Sequence, residues 1–162
     1  MRLTNRHKKP LYDFLNTVII AIILLCLGLY LLEKLKFNLL GIEENLLLLI
    51  PLLIIVLFYL RGRQIFEYDS DSETLTIKNK NNFLFWSKIS NDEFPKYKIL
   101  SYNILNLFII KKLYIVIHSK KHQSVRLKYD ISYLTKKEVN DIKYSLSKII
   151  QDNKKKSKIN DN

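Results

Sequence analysis

The chain of 162 residues contains one cysteine, three glycines, three prolines and three histidines. Because Cys26 is the only cysteine, the chain cannot form an internal disulfide. Three glycines leave no glycine-rich loop of the kind that cradles phosphates, and no serine nucleophile motif is present. None of His7, His118 and His122 is spaced from another histidine or a carboxylate as metal ligands are. We therefore expect no catalytic residue, no cofactor and no metal, and we predict that the protein is not an enzyme.

Two long stretches contain no Asp, Glu, Lys, Arg or His. The first, residues 14–32, would form roughly 28 Å of helix, which matches the thickness of a bilayer's hydrocarbon core. The second, 46–60, would give roughly 22 Å and needs help from Asn45 or a thinner bilayer to span it. A chain of this length has too few other apolar residues to surround two such helices. We predict transmembrane helices over 14–32 and 45–60, joined by a short external linker, 33–44.

The distribution of charge predicts the orientation of these helices. Acidic residues predominate in the linker, whereas basic residues flank both predicted spans, namely Arg2, Arg6, Lys8, Lys9, Arg61 and Arg63. By the positive-inside rule, both termini are then cytoplasmic. The charged start also resembles a secretory signal peptide, but no small-x-small cleavage site follows Leu32. We expect residues 1–13 to remain as a basic cytoplasmic N-terminus.

Beyond residue 61 the pattern of apolar residues changes from continuous to alternating, which indicates β-strands. We predict strands at 64–69, 73–79, 83–89, 97–104, 108–118 and 124–129, the third of which carries the only tryptophan, Trp86. A capping box, Thr135 with Glu138, then predicts the start of a helix. The apolar face of that helix is formed by Val139, Ile142, Leu146, Ile149 and Ile150. The stretch from 152 to 162 is polar and unpatterned, and we predict a disordered tail.

The last two predicted strands concentrate positive charge. Seven basic side chains fall within 18 residues, namely Lys111, Lys112, Lys120, Lys121, His122, Arg126 and Lys128. The whole chain has a formal charge of +12, and from residue 61 onward it has 21 Lys and Arg against 11 Asp and Glu. Basic residues near an anionic leaflet each contribute on the order of 1 kcal/mol. Two interpretations of the seven residues stay open, a surface for anionic lipid or a partner and a solvated basic face.

The helical hairpin, the strands from Gln64 to Tyr129 and the segment Ile131 to Ile150 together resemble the small bacterial membrane proteins that carry a pleckstrin-homology-like (PH-like) domain. The resemblance implies a membrane α-helical hairpin followed by a mainly-β or α+β domain over 61–151. In that domain a bent antiparallel sheet or partly open barrel is closed by one C-terminal amphipathic helix. It also implies a place on the cytoplasmic face of the bacterial inner membrane, usually without enzymatic activity. No ligand residues follow from it.

From these observations we expect a non-enzymatic, multi-pass protein of the inner membrane. Its basic cytoplasmic domain would bind a partner protein or the anionic membrane surface. The alternative is an accessory subunit of a larger transport or secretion complex, in which the hairpin packs on other membrane helices. We do not expect nucleic-acid binding, because the aromatic residues alternate as in a sheet core and form no stacking platform.

Overall fold

The structure is a computed structural model, and it describes residues 1–37, 45–81, 89–119 and 123–160. Three helices are present in these residues: α1 is Lys9–Leu32, α2 is Leu46–Arg61 and α3 is Lys136–Asn160. A π-helical segment, Glu33–Phe37, continues α1. The strands are β1 Arg2–Thr4, β2 Ile65–Asp69, β3 Thr74–Lys80, β4 Ile89–Pro95, β5 Ile99–Leu107, β6 Ile110–Ser119 and β7 Gln123–Asp130.

The strands form two antiparallel sheets, one in the order β1-β2-β3-β4 and one in the order β5-β6-β7. β1 corrects the predicted boundaries, because residues 2–4 belong to the sheet, not to a basic flank, and so the domain does not begin at 61. Three residues are too few to show the alternation that identifies a strand. β4 was also missed, since its sequence ISNDEFP is mostly polar and only Phe94 is buried. The predicted strand at 83–89, with Trp86, lies outside the described residues up to position 88.

Both sheets and α3 enclose one hydrophobic core. Alternate residues of the strands face it, so that Leu75 and Ile77 of β3 and Leu113 and Ile115 of β6 are completely buried. α3 closes the core with the apolar face that the sequence predicted; Val139, Ile142, Leu146 and Ile149 are buried and Ile150 is packed against them. Hydroxyl groups join the helix to each sheet, because Tyr68 Oη donates to Ser145 Oγ at 2.9 Å and Tyr102 Oη lies 2.9 Å from Ser147 Oγ.

The two ends of α3 give one confirmed prediction and one wrong one. The capping box is confirmed, since Thr135 N donates to Glu138 Oε2 at 2.6 Å and Glu138 N donates to Thr135 Oγ1 at 3.2 Å. The predicted disordered tail is wrong as far as Asn160, because the helix continues to that residue. Asn153 helps to hold this part, as its Nδ2 donates to Lys96 O and Ile99 O. No glycine or proline follows Pro95, so nothing in the sequence stops the helix.

The two apolar helices, α1 and α2, contact each other and are called the helical pair below. One stripe of α1 and its π-helical continuation is buried, at Tyr12, Asn16, Ile19, Cys26 and Glu33, whose spacings of three, four and seven residues place them on one helix face. Most of the other α1 side chains are exposed. By length and composition, Arg6–Leu35 is the one helix in the described residues that is long and apolar enough to cross a membrane, and α2 is shorter.

Candidate functional site

The helical pair meets the sheet domain at Tyr133, in the loop between β7 and α3. The guanidinium of Arg61, the last residue of α2, lies 4.4 Å from the Tyr133 ring centroid. The ring of Tyr12, near the start of α1, meets the same ring edge-on with 5.4 Å between centroids. Burial raises the pKa of the Tyr133 phenol, and the charge of Arg61 opposes that rise without reversing it. Tyr133 therefore stays a neutral ring on which both helices rest.

Asn5 lies before α1 and is hydrogen-bonded to the residues that follow α2. Its side chain is completely buried between β1 and the residues that lead into β2. Asn5 Nδ2 donates to Gln64 O at 2.7 Å, while Phe66 N donates to Asn5 Oδ1 at 2.8 Å. The backbone adds a third bond, from Asn5 N to Phe66 O at 3.2 Å. One side chain thus bonds the backbone of Gln64 and Phe66, beside the points at which the chain leaves the sheet for the helical pair and returns from it.

The chain leaves α2 through a glycine that is packed against Asp130. Gly62 has φ +82°, in the region that favours glycine, and a Cβ there would lie 2.6–2.9 Å from the Asp130 carboxyl group. Arg63 N donates to Asp130 Oδ2 at 3.4 Å, and Asn79 Nδ2 donates to Asp130 O at 2.7 Å. The turn after α2 therefore rests on the last residue of β7. This places the end of β7, and the start of β6 beside it, next to the helical pair.

The structure brings together three of the seven basic residues that the sequence identified. In β6 and β7, Lys112 is opposite Asp130, Tyr114 is opposite Lys128, and Val116 is opposite Arg126. Residues directly opposite each other lie on the same face of a sheet, and here that face is opposite the buried Leu113 and Ile115. The outer face of the β5-β6-β7 sheet therefore carries the basic face, which we define as Lys112, Arg126 and Lys128.

Of the other four predicted residues, the structure describes only Lys111. The side chain of Lys111 lies on the opposite side of β6, because neighbouring residues of a strand alternate between its faces. Its backbone N donates to Ser132 Oγ at 2.9 Å. Lys120, Lys121 and His122 lie outside the described residues. The strand ends that lead to them, Ser119 and Gln123, are at the far end of β6 and β7 from the helical pair.

The charges of the basic face are close enough to affect one another. Burial lowers the pKa of Lys112, the nearby Lys128 lowers it further, and Asp130 acts in the opposite direction. Arg126 lies with its guanidinium 6.0 Å from the Tyr114 ring centroid. Two ammonium groups that repel each other are stabilised when an anion binds between or beside them. The basic face can therefore hold an anionic group such as a phosphate, by charge and without any covalent chemistry.

Sequence reasoning missed the residues that fix the junction, which are Asn5, Asp130 and Tyr133. Only Gly62 gave a usable signal, because a glycine directly after an apolar helix commonly marks the end of that helix. Within the residues that the structure describes, no group of three or more His, Cys, Asp or Glu side chains could hold a metal ion. Comparison of the chain with family models, with curated proteins and with solved structures found no match.

Proposed function

We propose that this chain is a non-enzymatic membrane protein whose helical pair crosses the bilayer twice and holds a PH-like domain at the cytoplasmic surface. There the basic face binds anionic lipid headgroups. The observation that carries the proposal is the pairing of β1 with β2, because these two strands are neighbours in one sheet although the whole helical pair lies between them in sequence.

This pairing constrains how the helical pair can enter a membrane. Leu3 is opposite Tyr68 and Thr4 is opposite Glu67, so both ends of the helical pair must lie on the same side of the bilayer. A segment that begins and ends on the same side of a bilayer must cross that bilayer an even number of times. α1 as a single anchor does not meet this condition, and neither does a cleaved signal peptide, because cleavage after α1 would remove β1 and Asn5. Two crossings, with α2 as the return, do meet it.

The surface of the helical pair supports insertion. Leu24 and Leu25 of α1 are 62% and 63% exposed, and Leu52 and Leu53 of α2 are more than half exposed. A continuous apolar surface of this kind is costly in water and favourable in lipid. α1 is roughly 36 Å long and α2 roughly 24 Å, so the second crossing requires a thinned bilayer or help from flanking residues.

Charge at the junction supports a cytoplasmic domain. The basic residues that flank the helical pair in sequence gather where it meets the sheets: Arg6, Lys8, Lys9, Arg61 and Arg63. Basic residues at the ends of transmembrane helices favour the cytoplasmic side. A sheet of four strands and a sheet of three, followed by one amphipathic helix, supports the PH-like interpretation of the domain.

The position of the basic face supports lipid as its ligand. Lys112 is opposite Asp130, the residue on which the turn after α2 rests, so this end of the face lies at the level where the helical pair leaves the domain. Lys128 lies about 7 Å from that level along β7, within one Debye length, whereas Arg126 lies about 13 Å from it, beyond that length. Ser119 is roughly 26 Å from Lys111 along β6, too far for the other end of this strand pair to share the contact.

The topology is tested by labelling single cysteines in the full chain with a membrane-impermeant maleimide, in a Cys26→Ala background. Three exposed positions report on the three parts of the chain: Arg2 for β1, Leu35 for the far end of α1, and Ser124 for β7. In sealed cells we expect labelling at 35 alone, with 2 and 124 labelled only after the membrane is opened. Labelling of 2 and 124 on opposite sides would refute the two-crossing topology.

Headgroup binding is tested with a chain in which residues 7–62 are replaced by a short Gly-Ser loop, which the antiparallel neighbours β1 and β2 allow. After circular dichroism has verified its fold, flotation with anionic and neutral liposomes measures binding. Lys112→Glu with Lys128→Glu should abolish recovery with anionic vesicles. The control, Lys143→Glu with Lys148→Glu, makes the same change of charge on exposed residues of α3 and should retain most of it. Equal loss in both pairs would refute a specific role for the basic face.

The accessory-subunit alternative is decided by purification of the full chain in mild detergent. Stoichiometric membrane subunits that stay bound when the basic face is reversed would favour it over lipid binding. Purification of the chain without such subunits would favour the first proposal.

A further inference from the structure

The turn between β5 and β6 contains Phe108, the most exposed large apolar side chain among the residues that the structure describes. Leu107 is opposite Ile110, so Phe108 and Ile109 form a two-residue turn between the strands. Phe108 is completely exposed, and Leu105, Leu107 and Ile109 are also exposed. We call these four residues the apolar turn. In water such a tip would be expected to consist of polar residues or glycine.

Hydrogen bonds place the apolar turn at the end of the domain that meets the helical pair. Lys111 N donates to Ser132 Oγ, and Ile131 N donates to Lys111 O, both at 2.9 Å. These partners directly precede Tyr133, on which Arg61 and Tyr12 rest. Phe108 is three residues from Lys111 and therefore within about 11 Å of it. Since β6 runs from Lys111 away from the junction, the turn projects past the junction on the side of the helices, and α2 itself contacts β6.

The backbone of the turn is held in an unfavourable conformation that keeps the aromatic ring outermost. Phe108 has φ +33°, which is uncommon for a residue with a side chain and is an outlier for a bulky one. A two-residue turn with positive φ at its first position normally has glycine there. Phe in this place makes no contact within the domain that would offset the strain, since its side chain is completely exposed. A strained, exposed aromatic at a tip is typical of a residue used for contact with something outside the domain.

The residues beside the turn complete an interfacial pattern. Lys111 and Lys112 follow it directly, and long basic side chains can lie along apolar surface while their ammonium groups reach the headgroups. An apolar tip with adjacent lysines matches the chemistry of the boundary between acyl chains and anionic headgroups. β6, the strand that begins at this turn, is also contacted by α2, which carries exposed apolar side chains of its own.

We propose that the apolar turn inserts into the interface of the same bilayer that the helical pair crosses, as a third point of attachment that holds the β5-β6-β7 sheet against the membrane. This inference rests on the proposed function for the presence of a bilayer at the junction. It adds that the domain is docked on the lipid, with the Lys112 end of the basic face at the headgroups, and does not swing freely on its two linkers.

The test places an environment-sensitive fluorophore on single cysteines of the full chain, reconstituted into vesicles of zwitterionic and anionic phospholipids in a Cys26→Ala background. Phe108→Cys reports on the turn and Ile109→Cys provides a second site in it. Ser124→Cys, an exposed residue at the far end of β7, is the control for the domain. Leu24→Cys reports on α1. Iodide measures access from water, and lipids with a nitroxide on the headgroup or deep in the acyl chain measure depth.

We expect the label at 108 or 109 to be blue-shifted, protected from iodide and quenched most by the headgroup nitroxide. The label at 124 should be several-fold more accessible to iodide, and the label at 24 should be quenched most by the deep nitroxide. If 24 is deep while 108 and 109 are as accessible as 124, the docking inference is wrong and the two-crossing topology stands. If 24 is itself accessible to iodide, the proposed function fails and the docking inference fails with it.

Discussion

The helical pair and the sheet domain place the same residue types in opposite surroundings. In the domain, Leu75 and Leu113 are completely buried, whereas Leu24 and Leu25 of α1 are more than 60% exposed. The buried stripe of the helical pair in turn includes two polar residues, Asn16 of α1 and Glu33 directly after it. The domain is organised as a protein in water, with its apolar groups inside. The helical pair has the reverse order, which is expected of helices whose surroundings are lipid.

The largest expected effect comes from replacing one leucine in each region by alanine. Leu113→Ala creates a cavity in a core closed on all sides and should lower the free energy of unfolding by about 2–5 kcal/mol. Leu25→Ala, its matched control, exchanges one exposed apolar side chain for a smaller one and should cost far less. Pulse proteolysis of the reconstituted protein at increasing urea measures both. Equal losses would mean that Leu25 is packed against protein, and the contrast between the regions would no longer hold.

The second effect tests the junction that joins the two regions. Asn5→Ala leaves the Phe66 N–H without its buried acceptor and should cost about 1–3 kcal/mol. Asn140→Ala removes an exposed asparagine from α3 and is the control, expected to be neutral. Hydrogen exchange should show the loss first at β1 and β2, where the bonds of Asn5 lie. A uniform loss of protection over both sheets would contradict a local role for this side chain.

How far the sequence predicts this fold depends on the length of each pattern. The two apolar runs, the alternation of β6 and the capping box at Thr135 are all visible because each repeats or pairs several residues of the right type. β1 is not visible, since its pairing with β2 joins residues more than 60 positions apart and only Leu3 faces the core. For the basic residues, the sequence predicts the charge but not the face. Pairing register alone puts Lys112, Arg126 and Lys128 together and Lys111 on the other side.

The third effect concerns the turn by which the chain returns from the helical pair. Gly62→Ala places a side chain at φ +82° and ψ −156°, a region that essentially only glycine adopts, and against the Asp130 carboxyl group, and should cost about 1–2 kcal/mol. Gly28→Ala in α1 is the control, because a Cβ there meets nothing within 4 Å and alanine is the better helix former. Thermal unfolding in detergent measures both. In the double variant Gly62→Ala with Asp130→Ala, the loss of stability caused by the clash should be recovered, and the loss caused by the backbone conformation should remain. If the double variant loses the sum of the two single losses, the side chains at 62 and 130 do not interact.

The smallest expected effect is electrostatic, at the start of α3, where Glu138 lies 3.8 Å from Lys8 across the junction. Burial would raise the pKa of this carboxyl group, but hydrogen bonds from the backbone and hydroxyl of Thr135, with the charges of Lys8 and His7, lower it overall. A pKa lowered by folding contributes stability that is present above the ordinary value of 4.5 and is lost as the pH falls through the lower folded value. Glu138→Gln should therefore lower the free energy of unfolding by about 0.5–1 kcal/mol at pH 7, with the deficit shrinking as the medium becomes acidic.

Thr135→Ala removes the other half of the same cap and separates this effect from a general loss of helix stability. If the carboxylate acts through the capping box, the double variant should lose less than the sum of the two single losses, and its stability should not change further where Glu138 would titrate. The stability lost in Glu138→Gln could instead stay constant down to the most acidic pH at which the wild-type chain remains folded. That result would show that glutamine destabilises the start of α3 for steric reasons. The charge at the junction would then have no part in holding α3, and the N-terminal segment would be held to the domain by β1, by Asn5 and by the contact of Tyr12 with Tyr133.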